Sequence, residues 1–273
     1  MPSAGAHVTL SFFRYHGFAA RLWGMRQMAE MRSPLSAVPG LRFFKLLGTG
    51  GGTGYGFWPD FGTYALLGSW ASREDADRFH SGHAAHAAWQ AHAAEVYTLH
   101  LRPASSRGQW SGVNPFAPQA DAPDDAPLAV LTRATIKPGY VVGFWQQVAS
   151  VASSLQGRDG LLFTKGVGEL PWVEQATFSV WRSRADMMAF AHAPATPHAQ
   201  AIRRTRQAAG FSEELYARFS VVATEGSWHG CDPVRDGWRG LAGPQLSAHR
   251  AESAHSRTNR ASTDAPGCPM RTR

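Results

Sequence analysis

One pattern occurs twice along this chain in the same order, and that duplication constrains the fold more than any single motif. Val8, Gly17 and Trp23 recur as Val130, Gly139 and Trp145, each 122 residues later. LRFFKLLG (Leu41 to Gly48) lies over LLFTKGVG (Leu161 to Gly168), and SWASREDADRF (Ser69 to Phe79) over VWRSRADMMAF (Val180 to Phe190). Glu95, Tyr97, Trp110 and Gly112 match Glu214, Tyr216, Trp228 and Gly230.

Each copy reads as βαββαβ. Phe18, Leu22, Met25 and Ala29 recur at helical spacing, as do Phe144, Val148, Val151 and Leu155, so each first helix carries an apolar stripe that needs a sheet to cover. Leu215, Ala217, Phe219 and Val221 alternate with other residues as in a strand with one buried face. A single βαββαβ unit covers one sheet face and leaves the other open, so two units pair face to face. The expectation is an α+β protein: tandem ferredoxin-like repeats closed into an intramolecular α+β barrel whose interior holds a flat cofactor or a long apolar substrate. Residues 7–116 form the first repeat, 117–127 a Pro/Ala/Asp linker, 128–231 the second repeat, and 232–273 a tail without periodicity that reads as disordered.

Composition narrows the class. With 44% hydrophobic residues the chain can bury a core, yet no apolar run approaches the roughly 20 residues of a membrane helix, and the N-terminus lacks a secretion signal. A cytoplasmic protein is expected. The two cysteines, Cys231 and Cys268, follow the last structured segment, which argues against a disulfide framework or a cysteine zinc site. Net charge is +7; residues 232–273 hold seven Arg against four acidic residues and account for +3, leaving +4 for the body. That excess suits an acidic protein partner, an anionic membrane surface or RNA.

No Ser-His-Asp set, HExxH helix or cysteine cluster is present. The run GTGGGTG (Gly48 to Gly54) matches neither dinucleotide nor P-loop spacing and joins two strands, so it reads as a hairpin loop or pocket lip. Histidines 80, 83, 86, 92, 192 and 198 cluster around the second helices. Thr196 and Pro197 signal a helix start that puts His198 in the first turn, where the positive helix end favours a neutral ring able to bind a metal. Arg203, Arg204 and Arg206 fan around the same helix. A partly exposed histidine near a cap is the plain alternative, and His86 is the nearest repeat-mate. Cys231 is the only cysteine near the body. Lys45 and Lys165, on paired second strands, point either into the pocket or to solvent. The aromatics Phe43, Phe57, Trp58, Phe163, Trp172, Phe178 and Trp181 suit either core or a substrate box.

The segments VTLSFFR, LTRATIKPG, FWQQV, LLFTKGVGE, ATFSVW, PHAQAIR and EELYARF, in that order from about His7 to Trp228, resemble the spheroidene monooxygenases of purple photosynthetic bacteria. The resemblance implies an oxygen-dependent oxidase that places a keto group at C-2 of spheroidene to give spheroidenone, with haem iron as cofactor and reduced ferredoxin as electron source. On that basis His198 is the expected axial ligand, with Arg203, Arg206 and Lys165 as further cofactor contacts. A water-insoluble carotenoid also implies peripheral contact with a membrane. Two rivals stand beside this: a cofactor-free or haem-degrading barrel monooxygenase, and a tandem RNA-binding module. The strands TYALLGSW and ATFSVWRS lack the aromatic RNA-recognition signature, so no nucleic-acid partner is expected.

Overall fold

The computed structural model describes residues 5–52, 55–119, 123–155, 157–191, 204–205 and 207–238. The strands are β1 (His7–Arg14), β2 (Leu41–Gly50), β3 (Pro59–Trp70), β4 (Glu95–Gly108), β5 (Leu128–Ile136), β6 (Leu161–Leu170), β7 (Glu174–Trp181) and β8 (Phe211–Gly226). Helices α1 (Phe18–Glu30), α2 (Arg32–Ser36), α3 (Arg73–Gly82) and α4 (Ala84–His92) belong to the first lobe; α5 (Val141–Leu155) and α6 (Arg184–Ala191) belong to the second, and α7 (Pro233–Gly237) follows β8.

The strands close into one antiparallel barrel in the order β1-β3-β2-β6-β7-β5-β8-β4. Each lobe contributes the ferredoxin-like arrangement in which its first and third strands are central, so the duplicated pattern and the α+β barrel agree. The two seams differ. β4 and β8 pair from Tyr97↔Gly226 to Gly108↔Leu215, whereas β2 and β6 meet only at Gly48↔Gly168 and Thr49↔Val167. A Cβ at Gly168 would stand 2.4 Å from the Glu174 carbonyl oxygen, so the close approach of β7 at the β6 bulge requires glycine there.

The barrel interior is packed, which corrects the expectation of a hollow lumen. Phe12, Tyr97, Phe163, Phe178 and Trp228 meet edge-on or tilted with centroids 5.4 to 6.5 Å apart, and all belong to one buried cluster. An eight-stranded barrel is just wide enough for its side chains to fill. Phe163 and Phe178 are therefore core.

Strand register corrects the alignment of the two copies. His7 pairs with Trp70 and Leu128 with Trp181, so β1 maps onto β5 at 121 residues, setting Val8 on Ala129 rather than Val130. Gly226 pairs with Tyr97 and Gly108 with Leu215, so Tyr97 corresponds to Leu215 and Glu95 to Glu213. A slip of one residue reverses which face a side chain occupies: Tyr97 is inside the barrel, whereas Tyr216 is outside.

Helix α1 departs from its expected face. Phe18 is 83% exposed, and Leu22 and Met25 also face outward; Ala20, Trp23 and Met28 pack inward instead. Gly24 lets the helix approach closely, since a Cβ there would lie 2.8 Å from the Tyr15 ring. The second helices start alike. Ser72 Oγ accepts from Asp75 N and Ser183 Oγ accepts from Asp186 N, both at 3.2 Å. Gly40 and Gly160, at φ +79° and +78°, pass against those same aspartates. Where the sequence suggests disorder from Asp232, α7 is formed: Asp232 caps it, accepts from Tyr97 Oη at 2.9 Å, and Val234 is fully buried in the barrel core. No helix among the described residues is long and apolar enough to cross a membrane.

Candidate active site

A cavity of about 980 Å³ lies outside the barrel, between the sheet of the second lobe and its helices α5 and α6. Register explains why it is there. In the first lobe the outer face carries Phe13↔Tyr64 and Ser11↔Leu66; the matching pairs in the second lobe are Ala134↔Gln175 and Thr132↔Thr177. Tyr64, Leu66 and Phe13 fill the first lobe with Tyr15, Trp70, Phe79 and Trp89. Their smaller counterparts leave the second open. Thr132, Gln175, Thr177 and Tyr216 form a polar floor, and Phe144, Val148, Met187 and Met188 an apolar roof. Phe144 and Val148 of the α5 stripe thus border the cavity across from the sheet, and Leu155 is buried.

The first lobe supplies part of the wall. The β2–β3 hairpin crosses onto the second lobe, where Tyr55 borders the cavity and its hydroxyl lies 2.6 Å from Thr164 Oγ1. Burial pushes the Tyr55 hydroxyl up to about 12, against the Thr164 hydrogen bond. Trp172 Nε1 donates to the Phe57 carbonyl at 3.0 Å, and Phe57 packs on Trp145, which also lines the cavity.

At one edge the cavity meets a buried ion cluster. Arg133, 2% exposed, donates to Glu213 and Glu174 and lies under the Trp110 ring. Trp110 Nε1 and Lys45 Nζ both donate to Glu169, each at 2.5 Å. Burial pushes the Glu213 carboxyl up, but the N–H groups of Gly112 and Ser111 and the Arg133 guanidinium outweigh it, so the acid sits below its usual range. The Glu213 carboxylate is held in this cluster, on the strand face opposite that of the cavity-lining Tyr216. Gln147 donates to Tyr140 Oη and the Gly143 carbonyl, leaving its buried Oε1 without a partner. Arg107, also on the cavity, stacks 4.9 Å over Tyr216.

Of the residues singled out in the sequence, His198, Arg203 and Arg206 lie outside the described residues. Lys165 points into the barrel, on the sheet face opposite the cavity, where Nζ donates to the Gly52 carbonyl at 2.9 Å beside Trp228. Burial pushes its ammonium down. His86 is buried in the first lobe among Phe13, Phe79 and His80, away from the cavity, with both ring nitrogens unpartnered. It adjoins a chain in which His80 Nε2 contacts Ser11, His7 Nε2 meets His100 Nδ1 at 3.2 Å, and His100 Nε2 lies 3.2 Å from Glu225. Among the described residues no group of three or more His, Cys, Asp or Glu is arranged to hold a metal ion. Cys231 follows β8 with its Sγ 3.3 Å from the Trp228 carbonyl oxygen, and it is not among the residues that line the cavity. Sequence reasoning missed Tyr55, Gln175, Thr177 and Glu213; the polar alternation of β7 was the available signal, hidden by the one-residue slip in β5.

Barrel and flanking cavity together define an α+β-barrel protein with a large, partly open cavity outside its sheet. Among solved structures, an aldoxime dehydratase in complex with butyraldoxime shares this fold (TM-score 0.54, 12% identity, 84% of each chain), as does a second aldoxime dehydratase (TM-score 0.51, 14% identity, 84% of this chain and 86% of that one). No family model matches the chain. Curated relatives do. The spheroidene monooxygenase of Rhodobacter capsulatus is 42% identical over 228 residues, covering 83% of this chain and 94% of the relative. Those of Cereibacter sphaeroides (38%; 83% and 70%) and Rubrivivax gelatinosus (37%; 78% and 81%) are similar over nearly the same span. The chain belongs to the spheroidene monooxygenase family and is an oxidoreductase of the monooxygenase type.

Proposed function

We propose that the chain is an oxygen-dependent, haem-containing carotenoid monooxygenase that introduces a C-2 keto group into spheroidene, with reduced ferredoxin as electron donor and peripheral contact with a membrane. The observation that carries the reading is the cavity itself. At about 980 Å³, with an apolar roof and a polar floor, it suits a flat cofactor with one end of an extended apolar substrate.

The residues present fit haem in two respects. Arg107 offers a guanidinium at the cavity for a propionate. The apolar roof of Phe144, Val148, Met187 and Met188 offers a face for a flat macrocycle, while His198, the ligand proposed from the sequence, lies outside the described residues. Haem, when bound, would supply the activation of O₂. The chain's own contribution is different: Phe144, Val148 and the methionines hold the polyene end, Tyr55 and the hairpin exclude water, and Gln147 Oε1 is free to accept a hydrogen bond from a hydroxylated product. Two hydroxylations at one carbon give a geminal diol, which loses water to the ketone.

The absorption spectrum of protein produced with ample haem, beside His198→Ala, tests this. A stoichiometric Soret band that is lost or shifted in the variant is expected. A band unchanged in the variant moves the ligand elsewhere, and no haem in either protein overturns the cofactor reading in favour of a cofactor-free barrel.

A further inference from the structure

The tip that closes the cavity is also the most exposed aromatic surface near it. Trp58 is 72%, Leu170 53% and Phe57 49% exposed. Contacts join them: Phe57 meets Trp58 at 5.4 Å, Trp145 at 5.3 Å and Trp172 at 5.8 Å, and Leu170 opens the turn that carries Trp172. Trp145 belongs to both this surface and the cavity wall. The polar atoms of the inner indoles are already satisfied, since Trp145 Nε1 donates to the Trp172 carbonyl at 3.1 Å and Trp172 Nε1 to that of Phe57. These rings can therefore leave water without stranding a donor.

We propose that this aromatic lip rests in the surface of an anionic lipid bilayer and that the cavity takes its apolar substrate from the lipid beside it. The inference depends on the carotenoid reading only for the identity of that substrate. Lipid is favoured as the occupant because the lip is continuous with an apolar roof, its tip ends in a tryptophan, a residue suited to the headgroup level, and the chain carries a net charge of +7, complementary to an anionic leaflet.

The test is flotation of the full chain with carotenoid-free vesicles of phosphatidylcholine and phosphatidylglycerol. The wild type is expected to float. Trp58→Ser with Leu170→Ser should lower the bound fraction by roughly tenfold or more. Leu22→Ser with Met25→Ser, on the exposed apolar face of α1, should float like the wild type. No flotation of the wild type, equal flotation of the lip variant, or loss confined to the α1 variant would each overturn the proposal. So would a wild type that self-associates without binding vesicles while the lip variant is monomeric. Turnover of detergent-dispersed carotenoid separates the two readings: oxidation without flotation sinks the lip and leaves the activity, and lip-dependent flotation without oxidation does the reverse.

Discussion

The first lobe is closed where the second is open, although both use the same strand order and the same serine-capped second helix. Below α1, α3 and α4, aromatic rings and histidines fill the outer face of the first sheet; below α5 and α6, Gln175, Thr177 and Thr132 leave room for a ligand. The interiors differ in the opposite sense. Phe12 of the first lobe corresponds by register to Arg133 of the second, and each stands by the matching tryptophan, Trp228 or Trp110. One copy of the duplicated unit is filled by its own side chains, and the other holds the cavity.

The widest energetic difference should appear at Arg133. Arg133→Ala leaves Glu213 and Glu174 without their cation, and should cost about 3–5 kcal/mol in urea denaturation. A loss below about 1 kcal/mol would mean that the carboxylates are solvated without it.

Making the second lobe resemble the first should abolish its function without unfolding it. Gln175→Tyr with Thr177→Leu copies Tyr64 and Leu66 into the cavity, and should reduce turnover on the order of a hundredfold or more while Tm is held or raised. Turnover retained with the cavity filled would place the site elsewhere.

Acid should separate the lobes next. Burial, then His100, pushes His7 down to about 3; burial, then His86, pushes His80 down to about 4; and burial lowers His86. Such groups stabilise the fold when neutral, so their contribution is present above the unfolded value of 6.5 and is lost as pH falls toward 4 and 3. Hydrogen exchange should show α3 and α4 losing protection before α5 and α6, and His7→Leu, which copies Leu128, should flatten that dependence.

The smallest effect tests likeness rather than difference. Ser72→Ala and Ser183→Ala should each cost about 1 kcal/mol, by similar amounts, because each removes the same cap. Unequal losses would show that one helix is held mainly by its packing.

Much of the architecture is legible in the residues because repetition is a one-dimensional property: Trp70 and Trp181, Lys45 and Lys165, and Asp75 and Asp186 mark equivalent positions without any structure. The site was less legible. Matching Val8 to Val130 and Tyr97 to Tyr216 is natural by identity, but hydrogen-bonded register places both pairs one residue out and so on opposite faces. The α1 stripe misled for a related reason: Gly24 lets the helix settle closely on Tyr15, turning Phe18, Leu22 and Met25 outward.

The sequence by itself determined the duplicated βαββαβ order and the family, since both depend on which residues follow one another. Only the tertiary structure decided that the lumen is full and the second lobe's outer face open, and that a hairpin from the first lobe closes it. Those outcomes depend on which side chains share a face and how much volume they fill, and a one-residue shift in register is enough to reverse both.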